Sequence, residues 1–236
     1  MSEWAAKRFW TTTATVKVDG GYSITLDDRP VKTPAKASLI LPTASMAAAV
    51  SKEWDAQEGQ VDPGTMPVTR GANAAIDKVA TQKAEVVQLL AAYGETDLLC
   101  YRAADPAALM AQQAAAWDPL LDWAACTYGV RLQTGKGVMH VPQDADGLVG
   151  LKAQLDQMTA FELAGAHDLI SLSGSLIIAL AVTQGHITPQ EGWTISRLDE
   201  DWQISQWGED EEAQMQEKIK KAAFCDAARF FEMCKN

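Results

Sequence analysis

The chain has 236 residues, 47% of them hydrophobic and 22% charged, and a formal net charge of -11 at pH 7. Such a chain has enough apolar side chains for a core of its own, so it is not a disordered tail, and its length suits one large domain or two small ones. The charge argues against nucleic acid as the main partner, since phosphate binding needs a Lys/Arg surplus, and against attraction to anionic membrane surfaces.

Residues 1–10 lack the apolar stretch of a secretory signal. The longest apolar-looking stretch, residues 169–182, is interrupted by Ser171, Ser173, Gly174 and Ser175. It is also shorter than the roughly 20 residues that cross a bilayer, so it reads as a buried helix with no membrane insertion. Cys100, Cys126, Cys225 and Cys234 are widely spaced with no CxxC pair, which suits free thiols in a reducing compartment and hence the cytoplasm.

The first forty residues read as strands. Residues 9–18 are rich in Thr, Val and aromatic residues, and the alternation of Ala14, Val16 and Val18 predicts a half-buried strand. Gly20-Gly21 supplies a hairpin turn, Tyr22, Ile24 and Leu26 alternate with polar neighbours, and Asp27-Asp28 makes a second turn. Residues 29–33 and 38–41 are expected as two further short strands, together forming a meander or barrel-like sheet. From Thr43 the apolar period changes to about 3.6. Thr43 caps a helix carrying Met46, Val50 and Trp54, and Gly59 ends it. A second helix is predicted over residues 73–93, with Ile76, Val79, Val86, Leu89 and Leu90 buried. Trp117, Leu120, Leu121 and Ala124 form a buried stripe closed near Gly129, and a short hairpin is expected around Gly135 and Gly137. A broken helix over 147–184 follows. Thr188-Pro189-Gln190-Glu191 starts another helix running to about Trp207, and a last one covers 210–233.

The fold class expected is therefore α+β: a small N-terminal antiparallel sheet or barrel-like domain with one helix (1–70), then a larger mainly helical domain (71–236). Charge divides unevenly, with 11 basic and 12 acidic residues in 1–102 but 9 basic and 19 acidic in 103–236.

Catalytic signatures mostly fail on spacing. His140, His167 and His186 lie far apart, without a metal-ligand pattern such as HExxH. The stretch from Gly129 to Gly137 has one residue too many for a phosphate-binding loop and a glycine where Ser/Thr should stand. Ser171 to Ser175 lacks the leading glycine of a GxSxG elbow. What remains is Arg197 to Glu212, with seven carboxylates, Trp202 and Trp207, and only Arg197 as a basic counterpart. It reads either as a solvated face plus helix capping or as a docking surface of Trp anchors ringed by charge. A small acidic hydrolase using the clustered carboxylates of 199–212 is the alternative from another class.

Several stretches resemble the assembly chaperones of the F-type ATP synthase alpha subunit, a family found in mitochondria and some bacteria. They are Arg8-Phe9-Trp10; Tyr22 through Arg29-Pro30 to Thr33-Pro34; Leu39 to Pro42; and Glu53-Trp54-Asp-Ala-Gln57. Met66-Pro67-Val-Thr69, Ala75-Ile76-Asp77, Thr96-Asp97-Leu-Leu-Cys100-Tyr101-Arg102 and Trp117-Asp118-Pro119-Leu-Leu-Asp122-Trp123 continue the match. Thr159-Ala-Phe161, Ser175 to Leu180 and Arg197 to Glu212 complete it in order along nearly the whole chain. The resemblance implies a non-enzymatic monomer without cofactor or metal that binds the unassembled alpha subunit and prevents its aggregation. It places Trp207, Gly208 and Glu209 in the family's late motif, with Glu209 foremost, and Arg197, Glu200 and Trp202 of the same segment are the further partner-binding candidates. Ala213-Gln214 stands where the family pattern has a His-Asp pair. A Met1 start without an Arg-rich transit segment suits a bacterial cytoplasmic member rather than the mitochondrial matrix of eukaryotic relatives.

Overall fold

The computed structural model of the chain describes residues 7–208 and 210–235. Strands β1 (Thr13–Val18), β2 (Gly21–Leu26) and β3 (Arg29–Pro30) form an antiparallel sheet in that order. Its second turn places Asp27 and Asp28 at φ 45° and 66°, a left-handed conformation that aspartate tolerates better than most residues. The Asp27 carboxylate accepts hydrogen bonds from the N–H groups of Thr12 (2.9 Å) and Thr11 (3.1 Å) and from both hydroxyls, which hold its pKa below the ordinary value.

Two strand expectations are corrected. The third strand shrinks to two residues and the fourth to single bridges, Lys32 with Ser38 and Tyr22 with Leu41. Pro34 has no N–H to give a ladder, and Lys36 turns the chain at φ 70°. β1 is not half-buried: Ala14, Thr15, Val16 and Lys17 are all exposed, on both faces, and only Thr13 and Val18 are partly covered.

Helix α1 (Ala44–Asp55) begins as its sequence predicts, with the Thr43 hydroxyl accepting from the Met46 N–H at 3.2 Å. Met46, Ala47 and Val50 join Trp10, Ile24, Leu26, Leu39, Leu41 and Val68 in one core, with Trp54 edge-on to Trp10 at 5.3 Å. The predicted helix over 73–93 is instead α2 (Pro67–Ala74), a wider π-type turn over Ala75–Val79, and α3 (Lys83–Ala91). Its earlier start has a cause outside the helix. The Glu53 carboxylate on α1 accepts the N–H groups of Val68 and Thr69, both at 2.8 Å, supplying the acceptors that a helix N-terminus lacks. The break between Val79 and Lys83 also resets the helical phase. Leu89, expected inside, is 58% exposed, while Val87 and Leu90 are buried.

The helical remainder starts at β4 (Tyr101–Arg102) and α4 (Ala107–Tyr128), whose Trp117, Leu120, Leu121 and Ala124 are all buried. Gly129, at φ 72°, ends α4. The expected hairpin is corrected: β5 (Gly135–Lys136) pairs in parallel with the distant β4, and the Gly137 N–H donates to the Arg102 carbonyl at 2.7 Å. Helices α5 (Ala145–Asp156), α6 (Ala160–Ser173) and α7 (Leu176–Thr183) follow. Every residue of α7 is buried, as read from its apolar run. Helix α8 (Pro189–Ser196) opens with the full Thr188/Glu191 capping box. The expected continuation to Trp207 breaks at Arg197 into a separate α9 (Leu198–Trp207), before α10 (Glu211–Met233). No helix among the described residues is long and apolar enough to cross a membrane.

Two compact units result. One comprises the chain up to Lys83 with Thr159–Gly165 and the tail from Arg229; the other comprises Ala84–Met158 and Ala166–Ala228. The boundary expected at residue 70 falls inside α2, which packs on α1 within the first unit.

Candidate partner-docking surface

In the second unit, α8, α9 and the first half of α10 pack around Trp193. Its ring lies 5.7 Å from that of Phe224, and the Arg197 guanidinium sits 5.8 Å from it. Arg197 donates to the Glu200 carboxylate at 2.6 Å, so these two predicted binding residues are paired with each other. Arg197 Nε is buried and finds no acceptor among the described residues. The neighbouring carboxylates divide by use. Asp199 accepts from the Gln113 side-chain amide at 2.6 Å, and the amide oxygen of this buried glutamine accepts from the Ala103 N–H at 2.8 Å. Asp210 accepts from the Ala213 N–H at 2.9 Å and caps α10. Desolvation, followed by the nearby Glu217, raises the pKa of Asp201 above the ordinary aspartate value.

Trp202 is half-buried along α9, but Trp207, the last residue of α9, is 81% exposed. Gly208 follows at φ 89°, a conformation open to glycine, and its N–H closes α9 onto the Ile204 carbonyl. Glu209 lies outside the described residues. Helix α10 then exposes Met215 and Ile219, one helical turn apart, before its buried stripe begins at Phe224. These two residues were missed by motif reading. Their signal is an i, i+4 apolar pair inside a run of Glu, Gln and Lys, where a solvated face would carry none.

Ordered chemistry for catalysis is not assembled here. Asp199, Glu200 and Asp210 serve hydrogen bonds and an ion pair of the fold, and no group of three or more His, Cys, Asp or Glu residues among those described could hold a metal. The three histidines stay apart: His140 faces Glu95 at 3.0 Å, His167 bonds Asp168 at 2.8 Å, and His186 stacks on Trp123. The four cysteines are free thiols.

Most of the stretches that carry the resemblance prove to be internal fastenings. Arg8 donates to the Asp55 and Gln57 carbonyls, and Glu53 holds the start of α2. Arg102 pairs with Asp118 at 2.8 Å and lies 5.2 Å over the ring of Trp117. Residues so used are occupied within the fold, whereas Trp207, Met215 and Ile219 stand exposed, as Leu89, Val138 and Met139 also do.

Comparison with known proteins bears on the fold and the family. Residues 7–125 match the family described as ATP12 chaperone protein. The structure is similar to that of Atp12 from Paracoccus denitrificans, at 45% identity and a TM-score of 0.94 over 98% of this chain and 100% of that one. A point mutant of P. denitrificans Atp12p is equally similar, at 45% identity and a TM-score of 0.95 over 99% and 100% of the two chains. The mitochondrial protein atp12 of Schizosaccharomyces pombe is 24% identical over 220 residues, 88% of this chain and 75% of that protein. With the family match over residues 7–125 and a sheet-and-helix fold shared along its length, the chain belongs to the ATP12 chaperone protein family, the assembly chaperones of the ATP synthase.

Proposed function

We propose that this protein binds the unassembled alpha subunit of the ATP synthase catalytic head and prevents its aggregation until assembly, acting as a monomer in the bacterial cytoplasm and without catalysis. The observation that carries the reading is Trp207, a large aromatic side chain 81% exposed at the end of α9 and followed by an acidic helix start. A free subunit displays apolar surface meant for its neighbours, and such surface aggregates unless covered. An exposed tryptophan ringed by charge can cover it, because the ring supplies contact area at low entropic cost and the carboxylates select the register. Gly208 and Glu209, which follow Trp207 in the chain, act with it on the partner in this reading, while Arg197, Glu200 and Trp202 hold α9 in place.

Capture of purified alpha subunit at moderate salt tests the proposal. Apolar-anchored binding persists there, whereas attraction through charge alone is screened. Trp207→Ser should weaken capture roughly 30-fold or more, the effect of losing a tryptophan hot spot of about 2 kcal/mol, and Glu209→Lys should weaken it in the same direction. Circular dichroism should be unchanged in both. Capture at wild-type strength by both variants would remove this surface from the interface, and failure of the wild-type protein to bind alpha would end the proposal.

A further inference from the structure

The outer edge of the N-terminal sheet has no backbone partner among the described residues. In β2, Tyr22 uses both its N–H and its carbonyl on Leu41, and the Ile24 carbonyl accepts from Val31, so these residues turn their backbone away from β1. Their opposite numbers in β1 are Lys17 and Thr15. By the alternation of an antiparallel ladder, Thr13, Thr15 and Lys17 therefore point their backbone N–H and C=O groups out of the sheet. No described residue bonds to those of Thr15 or Lys17.

The side chains repeat the message. Ala14 and Val16 stand exposed on the outer face, with Val16 at 42%. β1 has no proline and no bulge, and Lys17 is its single charge, without an ion pair among the described residues. Natural edges of this kind are ordinarily blunted or covered.

We infer that β1 is a strand-addition site, which takes an extended client segment that alternates apolar residues and carries a carboxylate. Main-chain hydrogen bonds at Thr13, Thr15 and Lys17 hold the segment, its apolar side chains cover Ala14 and Val16, and its carboxylate meets Lys17. A second copy of the chain fits less well. Its β1 brings no carboxylate to Lys17, and a ladder of three outward-facing residues falls far short of the roughly 1,000 Å² that a stable dimer needs. The inference rests on the client-holding reading for its occupant, but its geometry is independent of α9.

Amide hydrogen exchange on the full chain tests it, first with a capped hexapeptide of alternating valine and glutamate as the probe, then with purified alpha subunit. The Thr15 and Lys17 amides should exchange quickly in the free protein and at least tenfold more slowly with either probe. Thr15→Pro removes only an outward N–H, which an edge strand tolerates. It should lower the affinity for both probes at least tenfold while thermal unfolding stays as in wild type. Lys17→Glu should weaken both, and the loss should be absent for a hexapeptide with lysine in place of glutamate.

Peptide protection without capture of alpha would uphold the edge site and sink the client reading. Capture of alpha with unprotected Thr15 and Lys17, and with both variants at wild-type strength, would overturn the inference and leave the client reading intact. Absence of protection by both probes would overturn it as well. So would protection that rises with protein concentration alone, which assigns the edge to self-association.

Discussion

Replacing Asp97 with alanine should destabilise the protein by about 2–6 kcal/mol, because it strands two buried donors at roughly 1–3 kcal/mol each. Asp97 is fully buried, and its two oxygens accept from the Leu99 N–H at 3.0 Å and the Ile177 N–H at 3.1 Å. One side chain thus fastens the turn before β4 to the first turn of α7, 80 residues away. Burial pushes its pKa up to about 6, against the opposing pull of those N–H groups and of the Ser175 hydroxyl. The unfolded chain releases this proton near the ordinary value of 3.8. Between those limits the native state holds a proton that the unfolded state lacks. The contribution is therefore fully present below about pH 4 and is lost as pH rises through about 6, a decline of about 3 kcal/mol from this group. Urea unfolding of wild type and Asp97→Ala across pH 4–7 measures both effects. A cost under about 1 kcal/mol, or an identical pH slope in the two proteins, would show that water satisfies the donors and that Asp97 does not titrate in this range.

Trp117→Ala should cost about 3–5 kcal/mol, the usual range for a large aromatic cut from a core. Trp117 is fully buried in α4, donates its indole N–H to the Ile195 carbonyl at 3.0 Å, and lies under Arg102. Ile195 belongs to α8, two residues before the Arg197 break that starts α9. The same substitution should therefore speed amide exchange in α8 and α9 and weaken alpha-subunit capture, although Trp207 is untouched. Trp117→Phe keeps most of the buried area and loses the indole hydrogen bond, so it should fall between the two. The opposite pattern is expected at Trp207, where serine should leave stability within about 0.5 kcal/mol because an exposed side chain has little packing to lose. Should Trp117→Ala unfold near the wild-type midpoint, α4 would not be the support of α9.

Much of the fold was legible where the physics is local. Thr43 and Thr188 announce their helices because the capping hydroxyl and the N–H it accepts are three residues apart. Gly129 ends α4 for the same reason, since the left-handed residue sits beside the carbonyls it relieves. The seven consecutive apolar residues of α7, Leu176 to Val182, could only be interior. The candidate surface was legible in part. The excess of carboxylates and the glycine before α10 are visible in the chain, but that Trp207 is the most exposed of the described tryptophans is not. Met215 and Ile219 were not singled out, because an i, i+4 apolar pair does not by itself say whether it meets the core or solvent.

The sequence by itself determined the change from strand period to helix period near Thr43, the caps, the turns and the concentration of acid after residue 102, for these depend on neighbours within a few residues. The matched stretches also carried the family, because their order along the chain survives without coordinates. Only the tertiary structure decided what their side chains hold. Glu53 serves a helix that starts 14 residues later, Asp97 serves another that starts 79 residues later, and β5 pairs with a strand on the far side of α4. It also decided that β1 is exposed on both faces rather than half-buried and that the helix expected over 73–93 breaks and turns Leu89 to solvent. Such choices turn on hydrogen-bond donors and apolar surfaces brought together from distant parts of the chain, and periodicity within one segment contains no record of what packs against it.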